Sequence, residues 1–200
     1  MAVTVNTRIE PMGRWESDSR GRLQEAALAL YAERGFDQTT AAQVAEQAGV
    51  TERTFFRHFA DKREVLFGES AFLQEQIVAG VAGAPAAGGP LDAVSRGLDA
   101  AVAMLGEFRR DLSQKRQAVI AANPELRERE LAKLADYTAA VGAILRQRGV
   151  REPQATLAAE VGMMVLRVAL QRWAGGDDDR DLATIMRDAV AGLRVVVAGG

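Results

Sequence analysis

Three observations predict an all-α chain. Apolar residues recur at intervals of three and four from Leu23 to Val197, no stretch sustains the apolar–polar alternation of a strand, and Thr, Asn-Pro and Gly stand where the stripes begin and end. A first helix is expected from Ser19 to Arg34, because Leu23, Ala26, Ala27 and Leu30 share one stripe and Gly35 can close it in the left-handed conformation. Residues 1–18 read as a flexible arm in which Glu10, Glu16 and Asp18 offset Arg8 and Arg14.

Two short helices come next. Thr40 and Gln43 make a capping box ahead of Ala41, Val44, Ala45 and Ala48, and Gly49 stops that helix. Thr51 caps a second one reading ERTFFRHF, after which Ala60-Asp61-Lys62 breaks the pattern before a helix expected from Lys62 to about Val78. Residues 79–90 (AGVAGAPAAGGP) carry no stripe and read as a helix end followed by a linker, the expected joint between two domains. Beyond it, Leu91, Val94, Leu98, Val102 and Leu105 mark one helix; Asn123-Pro124 opens a long one with Leu131, Leu134, Thr138, Val141 and Leu145 as its buried stripe up to Gly149. A helix from about Pro153 to Trp173, the turn GGDDD and a last helix carrying Leu182, Ile185, Met186, Ala189, Leu193 and Val197 complete the chain.

Composition narrows the chemistry. With 48% hydrophobic residues in 200, the chain can bury a sizeable core. It has no Cys and a single His, so no metal site is expected: zinc would have to be held almost wholly by carboxylates, which is not how zinc is usually bound. Asp177-Asp178-Asp179 reads as a turn with favourable negative charge at the next helix start. No catalytic residue and no cofactor is expected, since no Gly-rich loop follows a strand and no nucleophile has an evident base, so the chain does not read as an enzyme. The first twenty residues hold no apolar run of signal-peptide length, and no stretch approaches eighteen apolar residues; the reading is a cytoplasmic chain that makes no membrane contact. Residues 1–68 carry nine Lys/Arg against ten Asp/Glu, so any nucleic-acid footprint has to be local.

Residues 39–59 have the length and punctuation of a helix-turn-helix. At about 100° per residue, Phe55 and Phe59 of the second helix fall together with Phe56 at their edge, while Arg53, Thr54, Arg57 and His58 fall on the opposite arc. Arg reads guanine bidentately, Thr touches phosphate or a thymine methyl, and His can do either, so this arc suits a helix laid in the major groove. Lys62 and Arg63 follow at the distance of the sugar-phosphate backbone, and the amides at the start of the Thr40 helix are an anion site. Two Arg, one Thr and one His on an exposed arc are also what an ordinary solvated helix face carries.

The run TTAAQVAEQAGVTERTFFRHFADKREVLF, preceded by LQEAALALYAERGFD, resembles the N-terminal domain of the TetR family of bacterial transcriptional regulators over about fifty residues, 20 to 68. The resemblance implies an N-terminal three-helix DNA-binding domain over 19–68, a connecting helix and linker over 69–90, and a helical effector-binding and dimerisation domain over 91–200. It implies a homodimer on a near-palindromic operator in double-stranded DNA, usually repressing, with Thr40 on a phosphate and Thr51, Arg53, Thr54, Phe56, His58 and Lys62 at the DNA surface. Arg57 stands beside them. Phe56 departs from the Tyr of many members, so a phosphate hydrogen bond is lost and only ring packing remains.

For the C-terminal part the resemblance implies a small apolar or amphipathic effector and dimerisation through the last two helices. Residues 182–197 are apolar nearly all round, which a partner helix would explain. In the preceding helix Glu160, Met164, Arg167 and Gln171 share one stripe, which reads either as the dimer seam or, with Arg167 as anchor for an anionic group, as a pocket wall. Met104, Phe108, Met163, Met164 and Trp173 are flexible or aromatic residues suited to such a pocket and equally to plain core. The segment ANPELRERELAKLADYTAAVGAILRQRGV resembles a regulator subgroup linked to acyl-CoA-type ligands, which makes an acyl-CoA-like effector a candidate. Two other classes remain open: a non-specific architectural DNA-binding protein, and a small-molecule carrier or enzyme built on the helical domain.

Overall fold

The structure, a computed structural model, describes residues 12–105, 110–175 and 179–198. Every regular element among the described residues is helical, and none of these helices is long and apolar enough to cross a membrane. The chain divides into two units, Met1–Leu66 and Phe67–Gly200.

In the first unit, α1 (Met12–Arg34), α2 (Ala41–Gln47) and α3 (Glu52–His58) close over Leu23, Ala27, Leu30, Val44 and Phe55, all buried. The stripe expected for α1 is there, but the helix begins at Met12 and not at Ser19, so part of the segment read as an arm is helical. A helix nucleated by a buried stripe extends through polar residues at little cost when no proline interrupts it, and residues 12–18 contain none. The turn between α2 and α3 is made by Gly49 at φ +67°, a conformation that disfavours any side chain, while the Val50 amide donates to the Ala45 carbonyl at 2.9 Å.

The single helix expected from Lys62 to Val78 is two elements. A 3₁₀ turn occupies Glu64–Phe67 and α4 starts at Ser70 (Ser70–Ala82). The Asp61 carboxylate accepts from the amides of Arg63 (2.7 Å) and Glu64 (3.1 Å), which caps the turn and sets it apart from α4.

The second unit contains α4, α5 (Pro90–Leu105), α6 (Arg110–Ala122), α7 (Pro124–Gln147), α8 (Gln154–Gly175) and α9 (Leu182–Ala198). Residues 79–90, expected to be a joint, belong inside this unit. Helix α4 runs through Ala82 with Ile77 and Val81 fully buried, and it crosses α5 in backbone contact: a Cβ added to Gly80 would lie 2.8 Å from the Gly97 Cα, and one added to Gly97 would lie 2.8 Å from the Ile77 carbonyl oxygen. Gly80 is what lets the two helices approach this closely; the rest of the stretch is, as expected, a helix end at Ala82 followed by a connection to Pro90, although it joins two helices of one unit. Arg148 then closes the end of α4 by donating to the Ala82 carbonyl at 2.7 Å.

Two further differences have simple causes. Helix α6 announces itself poorly because only Val119 and Ile120 of its thirteen residues are buried. On α7, Val141 and Leu145 are buried and Leu134 packs against the core as expected, but Leu131 is 61% exposed and the buried line reaches the core through Leu126 and Tyr137 instead.

The α4–α5 crossing generates a paired prediction. Gly97→Ala forces backbone apart and should destabilise by about 1–3 kcal/mol. Gly21→Ala, in the middle of α1 where an added methyl meets no atom within 4 Å, should instead stabilise by about 0.5–1 kcal/mol. Urea denaturation followed by circular dichroism separates the two; changes of the same sign would contradict the packing described.

Candidate functional site

The polar arc of α3 is held outward by its apolar arc. Phe55 is fully buried and Phe59 nearly so, their centroids 5.7 Å apart, and the Arg20 guanidinium of α1 sits 5.2 Å above the Phe59 ring. On the other side Arg53 and Arg57 are exposed, one helical turn apart, and their guanidinium groups form no ion pair or hydrogen bond among the described residues. Phe56 is 52% exposed, edge-on to Phe55 at 5.3 Å, and offers a ring without a polar atom beside the two cations.

Thr40 and Thr51 are helix caps, and Thr54 supplies the amide that Thr51 holds. Thr40 is exposed and forms the expected capping box: its Oγ1 accepts from the Gln43 amide (3.2 Å) and the Gln43 Oε1 accepts from its amide (2.9 Å). Thr51 Oγ1 accepts from the Thr54 amide (3.2 Å) and lies 3.0 Å from Thr54 Oγ1. These hydroxyls fix the starts of α2 and α3. His58 is half-buried with its ring 6.3 Å from Phe59, on the core-facing edge of the helix, and does not join Arg53 and Arg57.

Lys62 is placed otherwise than expected for a backbone contact. Its ammonium donates to the carbonyls of Phe36 (2.8 Å), Thr39 (3.0 Å) and, at longer range, Asp37 (3.4 Å), and it lies 4.2 Å from the Phe36 ring centroid. Its own carbonyl accepts from the Tyr31 hydroxyl at 2.7 Å. Burial, and then the Asp61 charge, push the Tyr31 pKa well up, so this phenol stays a donor. Arg63 is ion-paired with Asp61 at 2.8 Å; burial raises the Asp61 carboxyl, but the Arg63 guanidinium and the Glu64 and Arg63 amides outweigh it and hold its pKa below the usual carboxylate value. Nothing in the sequence periodicity pointed to Tyr31, Phe36 and Thr39 as partners of Lys62, which lies more than twenty residues away.

In the second unit the residues proposed for an effector pocket separate into two groups. Met163 and Trp173 are buried in the core cluster with Met104 packed against it, whereas Met164 and Arg167 are exposed on the other face of α8. Arg167 is exposed on α8 together with Leu157, Met164 and Val168, turned away from the core that holds Met163 and Trp173. Phe108 lies outside the described residues. A shallow cleft open to solvent, with room for about one water molecule, does lie between α5, α8 and α9, lined by Leu91, Val94, Leu98, Val165, Leu193 and Arg194 among others. Periodicity does not reveal a polar cluster elsewhere in the unit: Arg116 of α6 pairs with Glu130 of α7 (3.3 Å) and sits 5.2 Å over the Phe67 ring, with Tyr137 hydrogen-bonded to Ser70 nearby. Burial draws the Arg116 pKa down against the Glu130 charge.

Two short capped helices joined at a left-handed glycine, the second showing two unpaired guanidinium groups, define a helix-turn-helix unit of the DNA-binding type. Comparison with known proteins agrees. Residues 23–68 match the bacterial regulatory proteins of the tetR family, residues 89–198 match the MftR C-terminal domain, and the chain belongs to the TetR family. It is 36% identical to the HTH-type transcriptional regulator TcmR of Streptomyces glaucescens over 140 residues, a match spanning 67% of this chain and 61% of that protein. It is 43% identical over 47 residues, 24% of each chain, to the HTH-type transcriptional repressor KstR2 of Mycobacterium tuberculosis. The fold resembles that of the transcriptional regulator FadR from Bacillus subtilis, solved in complex with stearoyl-CoA, with a TM-score of 0.59 at 18% identity over 90% of this chain and 98% of that one.

Proposed function

We propose that the chain is a sequence-specific DNA-binding transcriptional repressor, acting in the cytoplasm as a dimer on a palindromic operator and released by a small amphipathic effector. The observation that carries this reading is the pairing of Arg53 and Arg57 on the outward arc of a helix whose inward arc is anchored by Phe55 and Phe59. Two cations without internal partners, one turn apart on a helix that fits a major groove, suit bidentate contacts to guanine edges. Phe56 beside them suits a thymine methyl or a sugar. With a formal net charge of −2 for the whole chain, non-specific attraction to DNA is weak, which favours base reading over an architectural role. The relatives with which the chain aligns are regulators, and no reaction is assigned to it.

Dimerisation follows from what the last two helices expose. On α8, Leu157, Met164 and Val168 are 40–58% exposed along one face, and on α9 Val195 and Val196 are 71% and 78% exposed. An apolar face of this kind calls for a cover, and a second copy supplies one while setting two recognition helices about 34 Å apart, one DNA turn. The stearoyl-CoA complex of FadR makes an acyl-CoA-like molecule the favoured effector class. Such a ligand exceeds the cleft between α5, α8 and α9, so its binding requires helices to part. It then relieves repression only by binding the parted state more tightly than the DNA-competent one.

Two outcomes follow. Arg53→Ala and Arg57→Ala should each weaken binding to the operator by about 1–3 kcal/mol and relax preference at particular base pairs, as read by fluorescence anisotropy over single-base variants; a loss that is uniform across all sequences would demote both to phosphate contacts. Met164→Glu and Val196→Glu, at positions exposed within one chain, should leave the fold intact and yield monomers by sedimentation, while a wild-type monomer at micromolar concentration would sink the dimer.

A further inference from the structure

We propose that Lys62 is a positioning residue for DNA recognition: its ammonium locks the turn between α1 and α2 from the far side of α3 and touches no phosphate. The inference rests on the DNA-binding reading of α3 and deepens it. An ammonium has three donors. Here the carbonyls of Phe36, Thr39 and Asp37 converge on it at 2.8, 3.0 and 3.4 Å, and the Phe36 ring lies 4.2 Å from it, so the charge is neutralised by backbone dipoles and a π-face within its own unit. The turn it grips is the one that delivers Thr40, the cap of α2, and Thr39 is itself buried with its hydroxyl donating to the Gly35 carbonyl at 2.9 Å. At the other end of the same residue the buried Tyr31 hydroxyl donates to the Lys62 carbonyl at 2.7 Å, fixing the backbone just past α3 to α1. One residue thus ties the exit of the recognition helix to both α1 and the entry of α2.

The geometry is specific to lysine. A compact ammonium can direct its donors at three converging carbonyls, whereas the planar guanidinium of arginine, better suited than lysine to a phosphate, cannot enter the same cage. Lys62→Arg and Lys62→Met therefore discriminate between the two roles. Both variants should stay folded at the assay temperature by circular dichroism yet lose about tenfold or more in affinity for the selected operator. The salt dependence of the remaining binding should be unchanged. A phosphate contact predicts the opposite pattern: Arg retains affinity, and Met lowers the slope of log K against log salt by about 1.8 for two copies. Wild-type affinity in Lys62→Met would also overturn the inference. Should either variant unfold, ¹⁵N spectra of the wild-type protein still decide: a caged ammonium gives a slowly exchanging Lys62 Nζ signal in the free protein that DNA leaves in place, and a signal seen only with DNA would refute the cage. If the wild-type protein binds no duplex while that signal is present, the DNA-binding reading fails and the cage stands.

Discussion

A helix of seven residues has almost no stability of its own, so the direction in which α3 presents its side chains depends on the seating of Phe55 and Phe59. Each buried phenyl contributes about 1.5–3 kcal/mol relative to exposure, roughly twice what the Thr51 cap adds. That burial also fixes rotation: with Phe55 and Phe59 inward, Arg53 and Arg57 have no choice but to face out. The Arg20 guanidinium over Phe59 and the Phe55–Phe56 edge contact then hold the rings in place, so α1 supplies the floor on which the reading face stands.

The second unit follows a different rule. Its helices meet where side chains are missing: Gly80 against Gly97, and Gly162 against Val94, positions at which any Cβ would collide. Contacts between backbones are sensitive to small displacements, because dense packing leaves no slack to absorb them. A ligand that wedges between α5 and its neighbours would therefore shift whole helices and not single side chains. This sensitivity arises from residues that carry no chemistry.

Most of the DNA-binding unit was legible in the sequence because its signals are local. Thr40 with Gln43, Gly49, Thr51 and the Phe55–Phe59 spacing each act within a few residues, and each stands in the structure in its expected role. What failed depends on contacts across the chain. The carbonyl cage of Lys62 joins residues 23 to 26 positions apart, so spacing alone assigns the cation to the DNA backbone. The Ala- and Gly-rich stretch from 79 to 90 is the helix end and connection it reads as, but it joins two helices of one unit, and composition does not reveal the close crossing at Gly80. On α8, Met163 and Met164 were grouped by chemical type, and only the helix rotation separates the core residue from the exposed one.

The central claim is that Arg53 and Arg57 of two copies read base edges in successive major grooves, and selection of duplexes from a random pool tests it most directly. Sequencing the DNA retained by the full chain at physiological salt should return one motif written twice as an inverted repeat, with half-site centres about 10 base pairs apart or a multiple of that, and with a guanine in each half. Retained DNA without a shared motif, or a single motif with no inverted copy, would contradict the account.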